Sequence, residues 1–318
     1  MKKILIISIC ILVLVAACSS KKESKQSLVI FNAGSLTLPI KKISDEFMKK
    51  NPGVEIKAES AGSRTCARKV SELNKECDIL ASADYTVIDN LLIPDFASWN
   101  IKFVTNEMVI VFRKDSKRSS EIKPDNWYKI LLDKDVSFGR SDPNSDPCGY
   151  RSVLVCKLAE KYYNTKGLAD SLISKDVNNI RPKETDLLAL LESGTIDYLF
   201  IYKSIAQQHG LNFITLPDSI NLKSASLSDY YKSATVEISG KKPGTKITKR
   251  GTPMVYGVTI PKSASNRELA IKFLDFMLSD DGGMKILDEM GQPSALPSIS
   301  DNIETIPNAL RKYVREEK

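Results

Sequence analysis

Histidine is almost absent. One residue, His209, occurs in 318 positions, so little in the chain changes charge near neutral pH. It sits in Gln207-Gln-His-Gly210, a helix-end setting that suits solvent better than proton transfer. No Gly-x-Ser-x-Gly, no Walker loop and no His-Glu-x-x-His is present, which leaves no serine hydrolase, nucleotide hydrolase or zinc protease to propose. No Cys-x-x-Cys spacing suggests a metal cluster. No internal repeat is visible. Ile4–Ala17 is the apolar run to test for a membrane span, and it is too short for one. The charge balance is mild, at +7. Much of the excess lies in Lys241-Lys-Pro-Gly-Thr-Lys-Ile-Thr-Lys-Arg250, which reads as an exposed hairpin or loop. The run is short and lacks interleaved aromatics, so nucleic acid is not an expected partner.

What is present begins with a compartment signal. Lys2 and Lys3 precede the apolar run, and small residues end it, as in a secretory signal over 1–17. Leu14-Val-Ala-Ala-Cys18 resembles a bacterial lipobox, which implies cleavage before Cys18 and a diacylglycerol on its sulfur. Ordinary signal cleavage is the alternative. Residues 18–26 read as a flexible tether. The expected location is extracytoplasmic, anchored by lipid to the cell membrane. Export permits disulfides. Cys148 and Cys156 fall on one helix and cannot bridge. Cys66 and Cys77 could bridge, or remain buried thiols.

The remaining length, roughly 300 residues, exceeds what one core usually serves, so two lobes are expected. Strand and helix patterns alternate throughout. Ser27–Phe31, Val54–Ala58 and Asp78–Ser82 read as strands. Ile40–Lys50, Thr65–Lys75 (Cys66, Val70 and Leu73 inward) and Val87–Leu92 read as helices between and after them. This is a parallel sheet flanked by helices. A second set follows in Val136–Phe138, the Tyr150 helix, Leu187–Leu191, Tyr198–Tyr202 and Phe213–Leu216. Two apolar strands, Glu107–Phe112 and Met254–Ile260, bracket that set and would join the lobes. The division is 27–107 with 257–318 for the first lobe and 108–256 for the second.

Ligands of open parallel sheets bind beyond the carboxyl ends of strands, at helix starts. Asn32-Ala-Gly-Ser-Leu-Thr37 and Glu59-Ser-Ala-Gly-Ser-Arg64 are Gly-Ser turns that offer Ser35 and Ser63. Asp146-Pro-Cys-Gly149 opens a helix, with Pro147 at its first position and Asp146 as a natural N-cap. Tyr150, Val153, Leu154, Leu158 and Tyr162 share one face of it. Arg181-Pro-Lys-Glu-Thr-Asp186 opens another helix and brings Glu184. Tyr202 ends a buried strand. Singly, the serines and Asp146 read as caps, Glu184 as a first-turn carboxylate and Tyr202 as a packed ring. Together they form a cleft of neutral donors suited to a small dehydrated anion. The carboxylates are the awkward feature, because a helix start is an anion site.

Several longer motifs resolve the awkwardness. Ala33-Gly-Ser-Leu-Thr37, Ala61-Gly-Ser-Arg64, Ala81-Ser-Ala-Asp-Tyr85, Gly139-Arg-Ser-Asp-Pro-Asn144, Asp146-Pro-Cys-Gly-Tyr-Arg151, Arg181-Pro-Lys-Glu-Thr-Asp-Leu187 and Phe200-Ile-Tyr-Lys-Ser204 resemble the archaeal-type tungstate/molybdate-binding proteins of ABC importers. The likeness runs from about Leu28 to about Leu296. It implies an α/β, two-lobe type II periplasmic-binding-protein fold with two hinge crossovers, no catalysis and no cofactor. The implied partners are a permease and an ATPase, with the binding protein itself a monomer. Ser35, Ser63, the N–H of Cys148 and Tyr202 are implied to contact the oxyanion. Asp146 and Glu184 are implied to bind the tungsten or molybdenum itself. Relatives often have a longer segment where this chain has only Tyr163–Ile180.

Two carboxylates beside a dianion repel it unless an oxygen reaches the metal as a hard ligand. A large d⁰ centre can expand from four to six ligands, and sulfur in sulfate cannot. The rivals are a binding protein for phosphate or sulfate and an enzyme on the same fold. One carboxylate accepting a proton would suit phosphate; two suit it less. An Asp/Glu pair could cleave glycosides, but the cleft lacks an aromatic platform. A purely structural lipoprotein would leave the paired Gly-Ser turns unexplained.

Overall fold

Alternation along the first strand shows how the molecule is layered. In the computed structural model, which describes residues 26–300 and 302–316, strand β1 spans Gln26–Ala33. Leu28 and Ile30 enter one apolar cluster and Phe31 another, because successive side chains of a strand leave opposite faces. The sheet is therefore covered on both sides. Helix Thr37–Lys50 brings Ile40, Ile43 and Phe47 to one face. Helices Ser63–Ser71 and Tyr85–Leu91 bring Cys66, Val70, Ile88 and Leu91 to the other. The signal, Cys18 and residues 18–25 of the tether lie outside the described residues.

Numbered along the chain, the strands that follow are β2 (Val54–Ala61), β3 (Ile79–Ser82), β4 (Ile101–Thr105) and β5 (Met108–Phe112). Then come β6 (Phe138–Ser141), β7 (Ile180–Arg181), β8 (Tyr198–Tyr202) and β9 (Asn212–Thr215). These are followed by β10 (Thr235–Ser239), β11 (Lys246–Arg250) and β12 (Val255–Thr259). Two five-stranded sheets result, ordered β2-β1-β3-β12-β4 and β7-β6-β8-β5-β9. In the first, β12 is antiparallel to both neighbours while β1, β2 and β3 run parallel. In the second, β5 is antiparallel to both neighbours while β6, β7 and β8 run parallel. Each sheet thus has one reversed strand among four aligned ones. The reversed strands belong to the two apolar segments expected to join the lobes. The chain leaves the first sheet through Asn106 and Glu107 and returns into β12. The basic run forms the turn and second strand of the β10–β11 hairpin.

Two local expectations are corrected. The helix expected over Thr65–Lys75 stops at Ser71, and Asn74 takes a left-handed φ of 49°, which a helix cannot accommodate. Leu73 accordingly lies outside the helix and is 62% exposed rather than inward. Helix Pro147–Tyr162 is buried on nearly all sides over its first ten residues, so it needs no single apolar stripe. Tyr162, assigned to that stripe, is largely exposed. Of the two alternatives left open for Cys66 and Cys77, the structure shows the second, since all four described cysteines are buried free thiols. The Cys66 thiol donates to the Asn32 carbonyl and that of Cys77 to the Ile79 carbonyl.

Candidate functional site

The carboxyl ends of β1, β2, β6, β7 and β8 deliver their following turns to one place. Asp146 holds the cap position of helix Pro147–Tyr162 in extended backbone, φ −141° and ψ 135°. Its carboxylate does not close the first turn with a capping hydrogen bond, which corrects the reading of its side chain as a cap. Instead, Ser141 Oγ donates to Oδ2 at 2.7 Å, and Oδ1 has no hydrogen-bond partner. Glu184 opens the 3₁₀ turn Glu184–Leu187 that leads into helix Leu188–Glu192. It is fully buried, and neither carboxyl oxygen has a hydrogen-bond partner. Such burial is costly, because a carboxylate taken from water must be paired, protonated or bound to a metal.

The two acids meet each other and the two Gly-Ser turns. A Cβ built on Gly34 would lie 3.0 and 3.1 Å from the Glu184 carboxyl oxygens. One built on Gly62 would lie 2.4 Å from the Ser145 carbonyl oxygen and 3.0 Å from Asp146 Cβ. Glycine at each position is what lets the first sheet's loops approach the second's acids. Burial, then the Asp146 charge, pushes the Glu184 carboxyl well above the usual carboxylate range. Burial raises Asp146 too, against the Ser141 hydrogen bond and the Arg151 charge. The pair therefore keeps a proton at a pH where isolated carboxylates have lost theirs.

Three hydroxyls around the acids are each backed by one donor. Ser63 Oγ accepts the Ala83 N–H at 2.9 Å. Tyr202 Oη accepts from Arg151 Nη1 at 2.9 Å. Ser35 Oγ meets Tyr256 Oη at 2.9 Å, and that phenol accepts from Asn106 Nδ2 at 3.0 Å. A hydroxyl that accepts one hydrogen bond still has its own proton to give. Ser35, Ser63, Cys148 and Tyr202 are at most 1% exposed, as are both acids. Cys148 contributes its N–H, one of the donors that a helix start leaves without an intrahelical partner. Its thiol instead faces the Phe200 carbonyl and is kept neutral by burial. The geometry thus brings all six expected residues to one buried cluster. His209 is exposed and outside it.

Four contributors were not singled out from the sequence. Arg151 lies in a quoted motif, but its burial at 3% exposure and its bond to Tyr202 depend on the fold. Tyr256 and Asn106 come from the two crossing segments. Asp84 closes the rim: it accepts from the Tyr150 phenol and from Lys249 Nζ at 2.9 Å. Arg64 and Arg68 join the same closure, donating to the Asn144 carbonyl at 3.0 and 3.2 Å. Among the described residues, no group of three or more His, Cys, Asp or Glu could hold a metal cation. What the cluster offers is neutral donors plus two unanswered acids.

Comparison with known proteins agrees with this architecture. The family model described as bacterial extracellular solute-binding protein matches residues 28–291. An uncharacterised solute-binding protein of Petrotoga mobilis is 50% identical, over 91% of this chain and 90% of that one. A molybdate/tungstate-binding protein of Thermococcus kodakarensis is 43% identical, over 90% of this chain and 88% of that one. Among solved structures, the periplasmic molybdate-binding protein of Azotobacter vinelandii superposes with a TM-score of 0.62 at 17% identity, covering 85% of this chain and all of that one. At that identity the likeness speaks for the fold, a two-lobe periplasmic-binding-protein architecture. Family membership also places the chain among binding proteins rather than enzymes. The chain belongs to the bacterial extracellular solute-binding protein family.

Proposed function

We propose that this protein captures tungstate or molybdate between its two sheets and delivers it to an ABC importer. The reading rests above all on the buried Asp146–Glu184 pair, with three carboxyl oxygens lacking any hydrogen-bond partner. A tetrahedral dianion would use the hydroxyls of Ser35, Ser63 and Tyr202 and the Cys148 N–H. Asp146 and Glu184 would then add one oxygen each to the metal and complete six-coordination. To ligate the metal the pair would give up its retained proton, and at an effective dielectric near 20 each unit charge pair about 4 Å apart then costs about 4 kcal/mol when repulsive. Only direct ligation of a hard, high-valent centre offsets that. Sulfate has no open coordination sites, so it would meet the repulsion without the bond. The name carried by the Thermococcus relative supports the same cargo.

The capture unit would be two lobes, 27–107 with 257–318 and 108–256, closing about the crossing segments. A lipid on Cys18 would hold it at the outer face of the cell membrane, as a monomer that the permease and ATPase engage in its closed form. Among the described residues no helix is long and apolar enough to cross a membrane.

Calorimetric titration with tungstate, molybdate, sulfate and phosphate tests the cargo. Tungstate and molybdate should bind far more tightly than the other two, and phosphate binding of equal strength would overturn the reading. X-ray absorption at the metal edge tests the coordination, where six oxygen neighbours are expected. Four would rule out ligation by Asp146 and Glu184.

A further inference from the structure

Tyr256 sits where a strand loses register. Pairing of β12 with β4 shifts between Val255 and Gly257, and such an irregularity re-aims the side chain it carries. The ring is fully buried, edge-on to Phe103 and to Tyr202, each with centroids 6.2 Å away. Its hydroxyl lies between Asn106 and Ser35. Asn106 is itself 5% exposed, and its amide is held in one orientation. Oδ1 faces the Glu107 N–H at 2.9 Å, and a backbone N–H can only donate, so the atom there must be the oxygen. Nδ2 is then the atom that donates both to Ser204 Oγ at 2.8 Å and to Tyr256 Oη. Nδ2 cannot accept, so among the described residues Ser35 Oγ is the acceptor within reach of the phenol's own proton. Ser35 in turn has its proton free for an acceptor.

We infer that Asn106 and Tyr256 are positioning residues that fix Ser35 as a hydrogen-bond donor to the bound anion. Neither need touch the anion. They come one from each segment by which the chain passes between the sheets, so the direction of the Ser35 hydroxyl is set by the crossing itself. Lobe geometry and anion affinity are thereby coupled through two side chains. The inference rests on the proposed use of Ser35 as an anion ligand.

A double-mutant cycle tests it. The wild type is first titrated with tungstate, molybdate, sulfate and phosphate, and the anion bound most tightly becomes the probe. Tyr256→Phe keeps the ring packing and removes the hydroxyl. It should weaken binding ten- to a hundredfold, and Ser35→Ala at least as much. The double variant should bind no more than about twofold more weakly than Ser35→Ala alone, because the phenol acts only through that serine. Asn106→Ala should reproduce the Tyr256→Phe loss and likewise fail to add to it. Additive losses, or an unchanged affinity in Tyr256→Phe, would overturn the inference. A wild type that prefers phosphate or sulfate would overturn the tungstate reading instead, and the cycle would then be read with that anion.

Discussion

Asp84 and Glu184 are both buried carboxylates where the two sheets meet, and they are treated in opposite ways. Asp84 accepts the Thr86 N–H at 2.9 Å, the Tyr150 phenol and Lys249 Nζ, with Arg151 Nη2 at 3.8 Å. Burial works to raise its pKa, but Lys249 and Arg151 outweigh it and hold the group below the usual carboxylate range. Glu184 has no such company. Its neighbour is another acid, and its pKa is driven up by burial and by that acid. The difference separates a carboxylate whose charge the chain answers from one whose charge it does not. Burial alone would not tell them apart; the ledger of partners does.

The largest effect should come from breaking the answered acid. Asp84→Asn leaves Lys249 and Arg151 without their counter-charge and should cost about 3–5 kcal/mol in urea unfolding. A loss below 1 kcal/mol would erase the contrast. On the proposed metal-ligand role, Glu184→Gln should lower tungstate affinity about a hundredfold or more, since loss of a metal ligand exceeds the usual cost of losing a supporting group. The same variant should unfold no more easily than wild type without ligand, because it removes a buried group that had no partner. A destabilised, fully binding Glu184→Gln protein would reverse the assignment.

The pH profile should divide the two next. The folded pKa of Glu184 is raised, so its stabilising contribution is complete below the unfolded value, about 4.3. It is lost as pH rises through the folded value. That of Asp84 is depressed, so its contribution is present above about 3.9 and lost as pH falls through the folded value. Ligand-free stability should therefore decline upward through Glu184 and downward through Asp84. Glu184→Gln should flatten only the upper slope, as followed by thermal melts across pH. The smallest effect concerns the rim. Arg68 donates to Ser239 Oγ at 2.8 Å and to the Asn144 and Gly240 carbonyls at 3.2 Å each. Arg68→Ala should cost about 1 kcal/mol and speed anion release severalfold in stopped-flow chase. An unchanged release rate would remove this arginine from the closure.

Local chemistry made much of this legible in the sequence. Periodicity located β1, β8 and the helix after Asp146, and the Gly-Ser turns announced close backbone approach. Glycine, proline and carboxylate at strand ends carry their meaning within a few residues. What could not be read is whatever depends on distant partners. Lys249 reaches Asp84 across 165 positions and Tyr150 reaches it across 66, and no spacing rule connects such pairs. Tyr256 looked like one more apolar strand residue because the irregularity that aims it belongs to its pairing with β4. Taken singly, Asp146 reads as a cap, because caps are what aspartates at that position usually are; its carboxylate instead accepts from Ser141. Leu73 reads as inward because the apolar pattern runs on past Ser71, where the helix ends.

The bare Cα of Gly62 has a mechanical consequence. A methyl group there would strike the Ser145 carbonyl, in the turn that follows β6 of the other sheet, and would oppose the approach of the two halves. Alanine at 62 would be a doorstop. The two halves could each fold and pack as before, yet the last few tenths of an ångström of closing travel would be blocked. A lesion of that kind would leave a sound protein in the cell, measurable by every test of folding, that nonetheless lets its cargo go.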